Sequence, residues 1–517
     1  MNIPELAEHS AQRLGECRVM VHEGKDYTNH QFLNWGRRLH RGLINIDVNK
    51  GDVIGMCLIS NPMVHSIFQG VFRTGAVAVP VMFALTAPEL RFILSDTKAV
   101  GVVTDTFGLE KIRDAVKGLE HIKWVAVLDG EDEFFGPIPE YSIKTLMDNE
   151  PIKILPYINE YDLAMMLYTS GTTGKPKGVM LTHKALYYTA EVVLEATQLK
   201  QWKKAPIFVN ALPLAHVFGV TIMNLNFMMP EHIKDAYTVL MTWFDAEKFM
   251  QLVQEHKASR TALVPTMIAL ILNHPKAMEY DLTSLKDVSS SSAPLPIEQA
   301  GAFRTLVKID RIRDNYGCTE AASIATTSLA KSCPEGSVGK PCSGIEIAIF
   351  DENDNPLAPG EKGEIVMKGP NMMKGYFNRP EATAETLRHG WMHTGDVGFI
   401  DSDGFLFISD RIKDMIIRGG ENIYPGELEE VIYEHPAVAE ATVIGKPDPI
   451  YGEKVIAFVV IKQGESVTSE EVLDFMRPKV TKFKLPAEVR FIDALPKSPV
   501  GKVLKRELKE VVVGTSN

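Results

Sequence analysis

The sequence predicts an α/β protein: a large N-terminal domain of two α/β subdomains plus a small β-barrel, followed by a small mobile α+β C-terminal domain. Three observations lead there. Short apolar runs alternate with helical patterns through most of the chain, short strands with turn signals follow from about Gly336 to Ile408, and a charged, glycine-bearing segment at Asp410 precedes a last stretch of mixed texture. At 517 residues the chain exceeds what a single core usually holds.

The elements justify this in order. "DVIGMCLIS", "GAVAVPV", "AVGVVTD" and "KWVAVLD" alternate with "HSIFQGVFRTG" and "APELRFILSDT", the grammar of buried parallel strands joined by crossover helices. The alternation returns in "APIFVNALPL", "DAEKFMQLVQEHKA", "RTALVPTMIALIL" and "LKDVSSSSAPLP", which makes a second α/β half. "IEIAIFDENDNPLAPGEKGEIVMKG" and "GFIDSDGFLFISD" read as antiparallel hairpins of a small barrel or sheet. "DRIKDMIIRGGENIYPGELEE" suits a linker that bends. Beyond it, "HPAVAEATVIGKP" reads as an α/β crossover and "VIAFVVI" as a strand, while "TSEEVLDFM" opens with a capping box of Thr468 and Glu471. The expected domains are 1–409, a hinge at 410–414 and 415–517.

Composition narrows the class. The chain is 45% hydrophobic and 23% charged with a formal net charge of -11, which argues against broad contact with nucleic acid or an anionic membrane. The start has no basic region followed by an apolar one, and no stretch offers ~20 uninterrupted apolar residues. The expectation is a soluble cytoplasmic protein. Five cysteines with no CxxC pair fit reduced thiols better than a disulfide framework or a zinc site.

One stretch carries chemistry by its own composition. "YTSGTTGKPKGVM", Tyr168 to Met180, follows the apolar run "LAMML" and concentrates glycines, hydroxyls and lysines. Glycines let backbone N–H groups turn toward an oxyanion, and hydroxyls and ammonium groups add donors, so the loop suits phosphate. It is not a Walker A loop, because only two residues separate Gly171 from Gly174 and Pro176 follows Lys175.

The string resembles the phosphate loop of the adenylate-forming superfamily, which includes acyl-CoA synthetases, luciferases and adenylation domains of peptide synthetases. Further signatures of that family stand in its order: "PLAHVFG" from Pro213, "NYGCTE" from Asn315, "MHTGD" from Met392, "DRIKDMIIRGGENIYPGELE" from Asp410 and "PKSPVGKVLKREL" from Pro496. The resemblance implies an acyl-CoA synthetase of the fatty-acid-CoA ligase type, using ATP, Mg2+ and coenzyme A. A carboxylate attacks the α-phosphate of ATP to give an acyl-adenylate and pyrophosphate, and a thiol then displaces AMP. Both steps build negative charge, so positioning and electrostatic stabilisation supply the acceleration.

Carried over residue by residue, Thr169, Ser170, Gly171, Thr172, Thr173, Gly174 and Lys177 hold the β- and γ-phosphates. Tyr316 stacks on adenine, with Ala293, Asn315 and Gly317 as further nucleotide-binding positions. Thr319 reaches the α-phosphate and Glu320 is the Mg2+ ligand, a hard oxygen for a hard cation. Asp396 and Arg411 hold the ribose hydroxyls; read in isolation they are a turn residue and an exposed charge. Lys502 bridges the carboxylate and the α-phosphate, a role that suits a compact ammonium on a flexible stem. His216 matches the gate beside the acyl carboxylate, Lys413 the hinge position, and Gly419 and Gly420 the passage for the pantetheine arm after the small domain swings.

The acid is less sharply marked. Ser291 and Ser292 stand where glycines are common in the family, and Ala215 replaces a frequent aromatic. Val217, Val220, Met223 and Met267 are expected to give an apolar lining, with no lysine or arginine to hold a second carboxylate. The expectation is a monocarboxylic, largely apolar acid, a fatty acid ahead of an aromatic one such as benzoate or 4-coumarate. Loading of a separate carrier protein and a non-catalytic nucleotide-binding regulator are the competing readings, and a homodimer is compatible with all of them.

Overall fold

The computed structural model describes residues 1–169, 176–329, 333–419, 421–498 and 501–514. Among them the first set of apolar runs becomes the parallel centre of a nine-stranded sheet, in the order Gly375–Tyr376, Lys177–Thr182, Leu163–Thr169, Val77–Pro80, Val53–Cys57, Gly101–Asp105, Trp124–Leu128, Ile138–Ser142 and Glu133–Phe135. Successive side chains of a strand point to opposite faces, so a strand covered on both sides must be apolar throughout. Val103 accordingly packs into one core and its neighbour Val102 into another.

The second set forms a seven-stranded sheet ordered Arg313–Asp314, Asp287–Ser290, Arg260–Leu263, Ile207–Asn210, Tyr237–Leu240, Arg18–His22 and Lys25–Thr28. All neighbours are parallel except the last pair. The order of elements in the sequence does not announce that Arg18–His22 crosses into this second sheet, with Met20 opposite Thr238 and Val21 opposite Val239. Ligands of such sheets bind beyond the carboxyl ends of the strands. Here Asp287–Ser290 leads into "SSAPL" and Arg313–Asp314 into "NYGCTE".

The third sheet is antiparallel, ordered Thr326–Thr327, Ser337–Pro341, Leu406–Arg411, Trp391–Ile400, Gly363–Lys368 and Glu346–Phe350, with Leu387–Arg388 beside Trp391–Ile400. Its outer strands do not pair with each other among the described residues, so the barrel expected from the sequence is an open one. A fourth, five-stranded sheet begins after the turn Ile412–Asp414. Here one expectation fails: "HPAVAEATVIGKP" is not a crossover, because Val438–Asp448 pairs antiparallel with Gly452–Ile461 as a long hairpin. Its apolar residues follow a period of two, with Ala441 and Val443 in one core and Ile444 in another. The Thr468 capping box is present, Glu471 N–H donating to the Thr468 side chain and Thr468 N–H to Glu471 Oε2 at 2.8 Å. No helix among the described residues is long and apolar enough to cross a membrane.

Candidate active site

The third sheet sets the centre of the site. Antiparallel register places Asp396 opposite Arg411, whose Nε lies 3.0 Å from Asp396 Oδ1. The other carboxylate oxygen accepts the Tyr316 hydroxyl at 2.7 Å. Burial, reinforced by the Asp396 charge, pushes that hydroxyl well above its usual pKa, so it stays a neutral donor. Lys502 enters from the loop ahead of the helix Lys505–Gly514: burial first, then the Arg411 charge, pull its ammonium down to about 8. Lys413 acts in the same direction, while Asp396 and Asp414 oppose it. Positive side chains thus converge on one place, which favours an anion such as a phosphate chain.

Backbone geometry holds Lys502 there. Its N–H donates to Ser498 Oγ at 3.1 Å, its carbonyl accepts from Ser498 N–H at 2.8 Å, and Gly501 N–H donates to Ser498 O at 2.8 Å. Gly501, at φ +78, turns its carbonyl to the Thr266 hydroxyl at 3.0 Å, at the start of the helix Pro265–Leu272. A Cβ at Gly501 would meet Thr266 Oγ1 at 2.7 Å. Other polar contacts join the same two bodies: Ile297 N–H to Glu430 Oε1 at 3.2 Å, Lys362 Nζ to Glu427 Oε1 at 2.6 Å, and Gly426 N–H to Asp410 Oδ2 at 2.7 Å.

Beside this cluster the hairpin of Leu163–Thr169 and Lys177–Thr182 brings Thr169 opposite Lys177. The Lys177 ammonium lies 5.0 Å from the centre of the Tyr376 ring, and the Tyr376 hydroxyl donates to Glu320 Oε1 at 2.9 Å. Ser170, Gly171, Thr172, Thr173, Gly174 and Gly420 lie outside the described residues. Thr319 and Glu320 form a tight turn, Thr319–Ala321. Among the described residues no cluster of three or more His, Cys, Asp or Glu could hold a metal ion. Glu320 nevertheless fits Mg2+, which is bound through one or two carboxylates together with substrate phosphates. When bound, that ion would neutralise phosphate charge.

Local geometry explains several of the other positions. Gly317 is required by close packing, since a Cβ there would lie 1.8 Å from the Ser323 carbonyl oxygen. Asn315 is buried, with an Oδ1 that has no hydrogen-bond partner, an acceptor available to a ligand. Ser292 adopts φ +78, so a serine holds the left-handed backbone that glycine takes freely. Ala293 is half-buried just after it. His216 caps the helix Val217–Leu225, its Nδ1 accepting Phe218 N–H at 3.3 Å. Burial lowers it to about 4, so the ring is neutral and carries its proton on Nε2. Gly419 is not brought to this cluster; it lies in the C-terminal hairpin with its N–H bonded to Tyr451 O at 2.8 Å.

A cavity of about 60 Å3, partly open to solvent, adjoins Asn315 and runs between the second sheet and the helices His183–Ala196 and Val217–Leu225. Two expectations are corrected here. The helix presents Phe218, Ile222 and Leu225 to the cavity, while Val217, Val220 and Met223 face the opposite core. Residues three and four apart share a helix face, and the sequence alone does not say which face is which. Arginines also line the cavity: Arg260 and Arg313, both paired with Asp287. Tyr376, Arg260 and Arg313 were not among the residues the motifs singled out.

The family profile described as AMP-binding enzyme matches residues 7–377, and that described as AMP-binding enzyme C-terminal domain matches residues 427–502. The chain is 34% identical to a long-chain-fatty-acid–CoA ligase of Bacillus subtilis (strain 168), over 98% of this chain and 94% of that protein. It is 35% identical to a feruloyl-CoA synthase of Amycolatopsis sp, over 94% of each. The crystal structure of ATP-bound MatB from Rhodopseudomonas palustris superposes with a TM-score of 0.89 at 27% identity, covering 100% of both chains.

Proposed function

Since the chain belongs to the AMP-binding enzymes and acts as an AMP-forming acid–CoA ligase, we propose that its acid has a largely apolar body, a fatty acid ahead of an aromatic acid. The observation that carries this reading is the cavity beside Asn315, whose walls include Phe208, Phe218, Ile222, Leu225 and Met229. Such a lining excludes water from an alkyl or aryl tail, and each methylene buried contributes ~0.8 kcal/mol.

The geometry supports the following roles. Asp396, its carboxylate fixed by Tyr316 and Arg411, accepts the ribose hydroxyls of ATP. Glu320 would hold Mg2+, with Tyr376 orienting its carboxylate. Lys502 bridges the attacking carboxylate and the α-phosphate, where preorganised positive charge lowers the barrier most. After pyrophosphate leaves, the segment 410–414 acts as a hinge about Lys413, and the C-terminal domain turns so that the loop at Gly419 and Gly420 faces coenzyme A. Support for the hinge is that, among the described residues, few polar contacts, those of Thr266, Ile297, Lys362 and Asp410, tie the two bodies in the present pose.

The test is pyrophosphate release with ATP and Mg2+ across acetate, hexanoate, palmitate, benzoate and 4-coumarate, with and without coenzyme A. Release with an apolar acid, and thioester only when coenzyme A is present, is expected. Release without any thioester would assign a carrier protein as acceptor instead, and no release with any acid would overturn the reading.

A further inference from the structure

The far end of the cavity is not apolar. Arg260, Asp287 and Arg313 begin three neighbouring parallel strands, with Arg260 in register with Asp287 and Ser289 with Arg313. Asp287 takes Arg260 Nε at 2.8 Å on Oδ2, and Arg313 Nε at 2.5 Å on Oδ1 with Nη2 at 2.8 Å on Oδ2. Against two guanidinium groups the single carboxylate leaves the trio with an excess of one positive charge. The terminal nitrogens of Arg260 make no hydrogen bond to a described residue, although its side chain is only 7% exposed. Its guanidinium lies 5.8 Å from the Phe208 ring centre and 5.9 Å from that of Trp202, an aromatic frame that holds the stem without using the donors.

The position of this group in the cavity sets what could reach it. The reacting end of the acid must lie near Asn315, just past the carboxyl ends of these strands. Ser290 is in register with Asp314, and Asp287 lies three residues earlier on its strand. At ~3.3 Å per residue Arg260, level with Asp287, stands roughly 10 Å down the cavity from the Ser290–Asp314 level, while Arg313, one residue before Asp314, lies nearer the reacting end. Thr238, Ser289 and Asn226 line the walls, so oxygen atoms at that depth would find further donors. A buried excess charge is unfavourable without a counter-charge or acceptor.

We propose that the acid carries an oxygen acceptor at the end remote from its reacting carboxyl, a hydroxyl, carbonyl or second carboxylate, which the free guanidinium nitrogens of Arg260 recognise. The assignment rests on the reading that this cavity receives the acid's tail. It makes the substrate amphipathic: an apolar body between two oxygenated ends.

The experiment compares matched pairs by coenzyme A-dependent AMP formation: octanoate against 8-hydroxyoctanoate and suberate, benzoate against 4-hydroxybenzoate. The expected result is a kcat/KM at least roughly tenfold higher for an oxygenated member than for its plain partner, from charge-assisted hydrogen bonds. Arg260→Met, which leaves Asp287 paired with Arg313, should erase that preference while leaving octanoate activity unchanged or raised. Arg260→Lys should retain part of it. Plain acids turned over as well as every oxygenated partner, or a preference that survives Arg260→Met, would overturn the proposal while the ligase reading stands. No AMP from any acid would overturn both.

Discussion

Asp396 and Arg411 face each other across adjacent antiparallel strands, the guanidinium Nε 3.0 Å from Oδ1, while the Tyr316 hydroxyl occupies Oδ2 at 2.7 Å. The carboxylate that is to meet a diol is therefore held from both sides. Asp396→Asn would leave Asp414 as the nearer remaining carboxylate for Arg411 and Lys502 and weaken ATP binding by roughly 10- to 100-fold. Calorimetric titration of ATP into a folded variant checks this; unchanged affinity would place the ribose elsewhere.

Lys502 supplies a pH signature. Burial and the Arg411 and Lys413 charges bring its pKa down to about 8, so the ammonium is fully formed below that pH and lost above it. Adenylation, followed as kcat/KM for ATP, should be flat below about 8 on this account and fall with rising pH above it. Lys502→Ala should remove this limb and lower pyrophosphate formation by roughly 10²- to 10³-fold. Conversion of supplied acyl-adenylate to thioester should survive, and equal loss in both half-reactions would contradict the assigned role.

Gly317 has no room for a methyl group. A Cβ would stand 1.8 Å from the Ser323 carbonyl, and backbone cannot yield as a side-chain tip can. Gly317→Ala should lower stability by roughly 1–3 kcal/mol through local strain. Urea unfolding reads the loss, and a midpoint equal to that of the parent would show that the segment at Ser323 moves freely.

Tyr376 orients Glu320 through a 2.9 Å hydrogen bond and carries Lys177 over its ring. Tyr376→Phe keeps the ring and removes the donor. The Mg2+ concentration for half-maximal activity should rise several-fold, with palmitate or benzoate KM little changed. A change confined to the acid's KM would assign Tyr376 to the acid instead.

Much of this was legible in the sequence, for identifiable reasons. Parallel strands such as Trp124–Leu128 are buried on both faces and so write themselves as unbroken apolar runs. Asp396, Arg411, Tyr316 and Lys502 sit in short ordered motifs, and their assembly follows once the motifs are recognised. The arginines of the cavity were hidden because Arg260 and Arg313 are separated along the chain and meet only through strand register with Asp287. For Tyr376 the only signal was a Gly-Tyr pair ahead of a proline-initiated helix, which speaks of a turn rather than a ligand. The hairpin Val438–Asp448 was misread because an alternating apolar run of mixed propensity fits either element until its partner is known.

The early strand Arg18–His22 has a further consequence for synthesis. Its parallel partner, Tyr237–Leu240, comes roughly two hundred residues later, a delay of roughly 10 to 40 s at ordinary elongation rates. Until then the backbone donors and acceptors of the strand on that side have no sheet to complete, so the nascent chain carries an open edge on the ribosome. The first α/β body therefore cannot be cut out as a self-sufficient fragment: its N-terminal segment belongs structurally to the second, and a chain stopped before Tyr237 should be held by chaperones or aggregate.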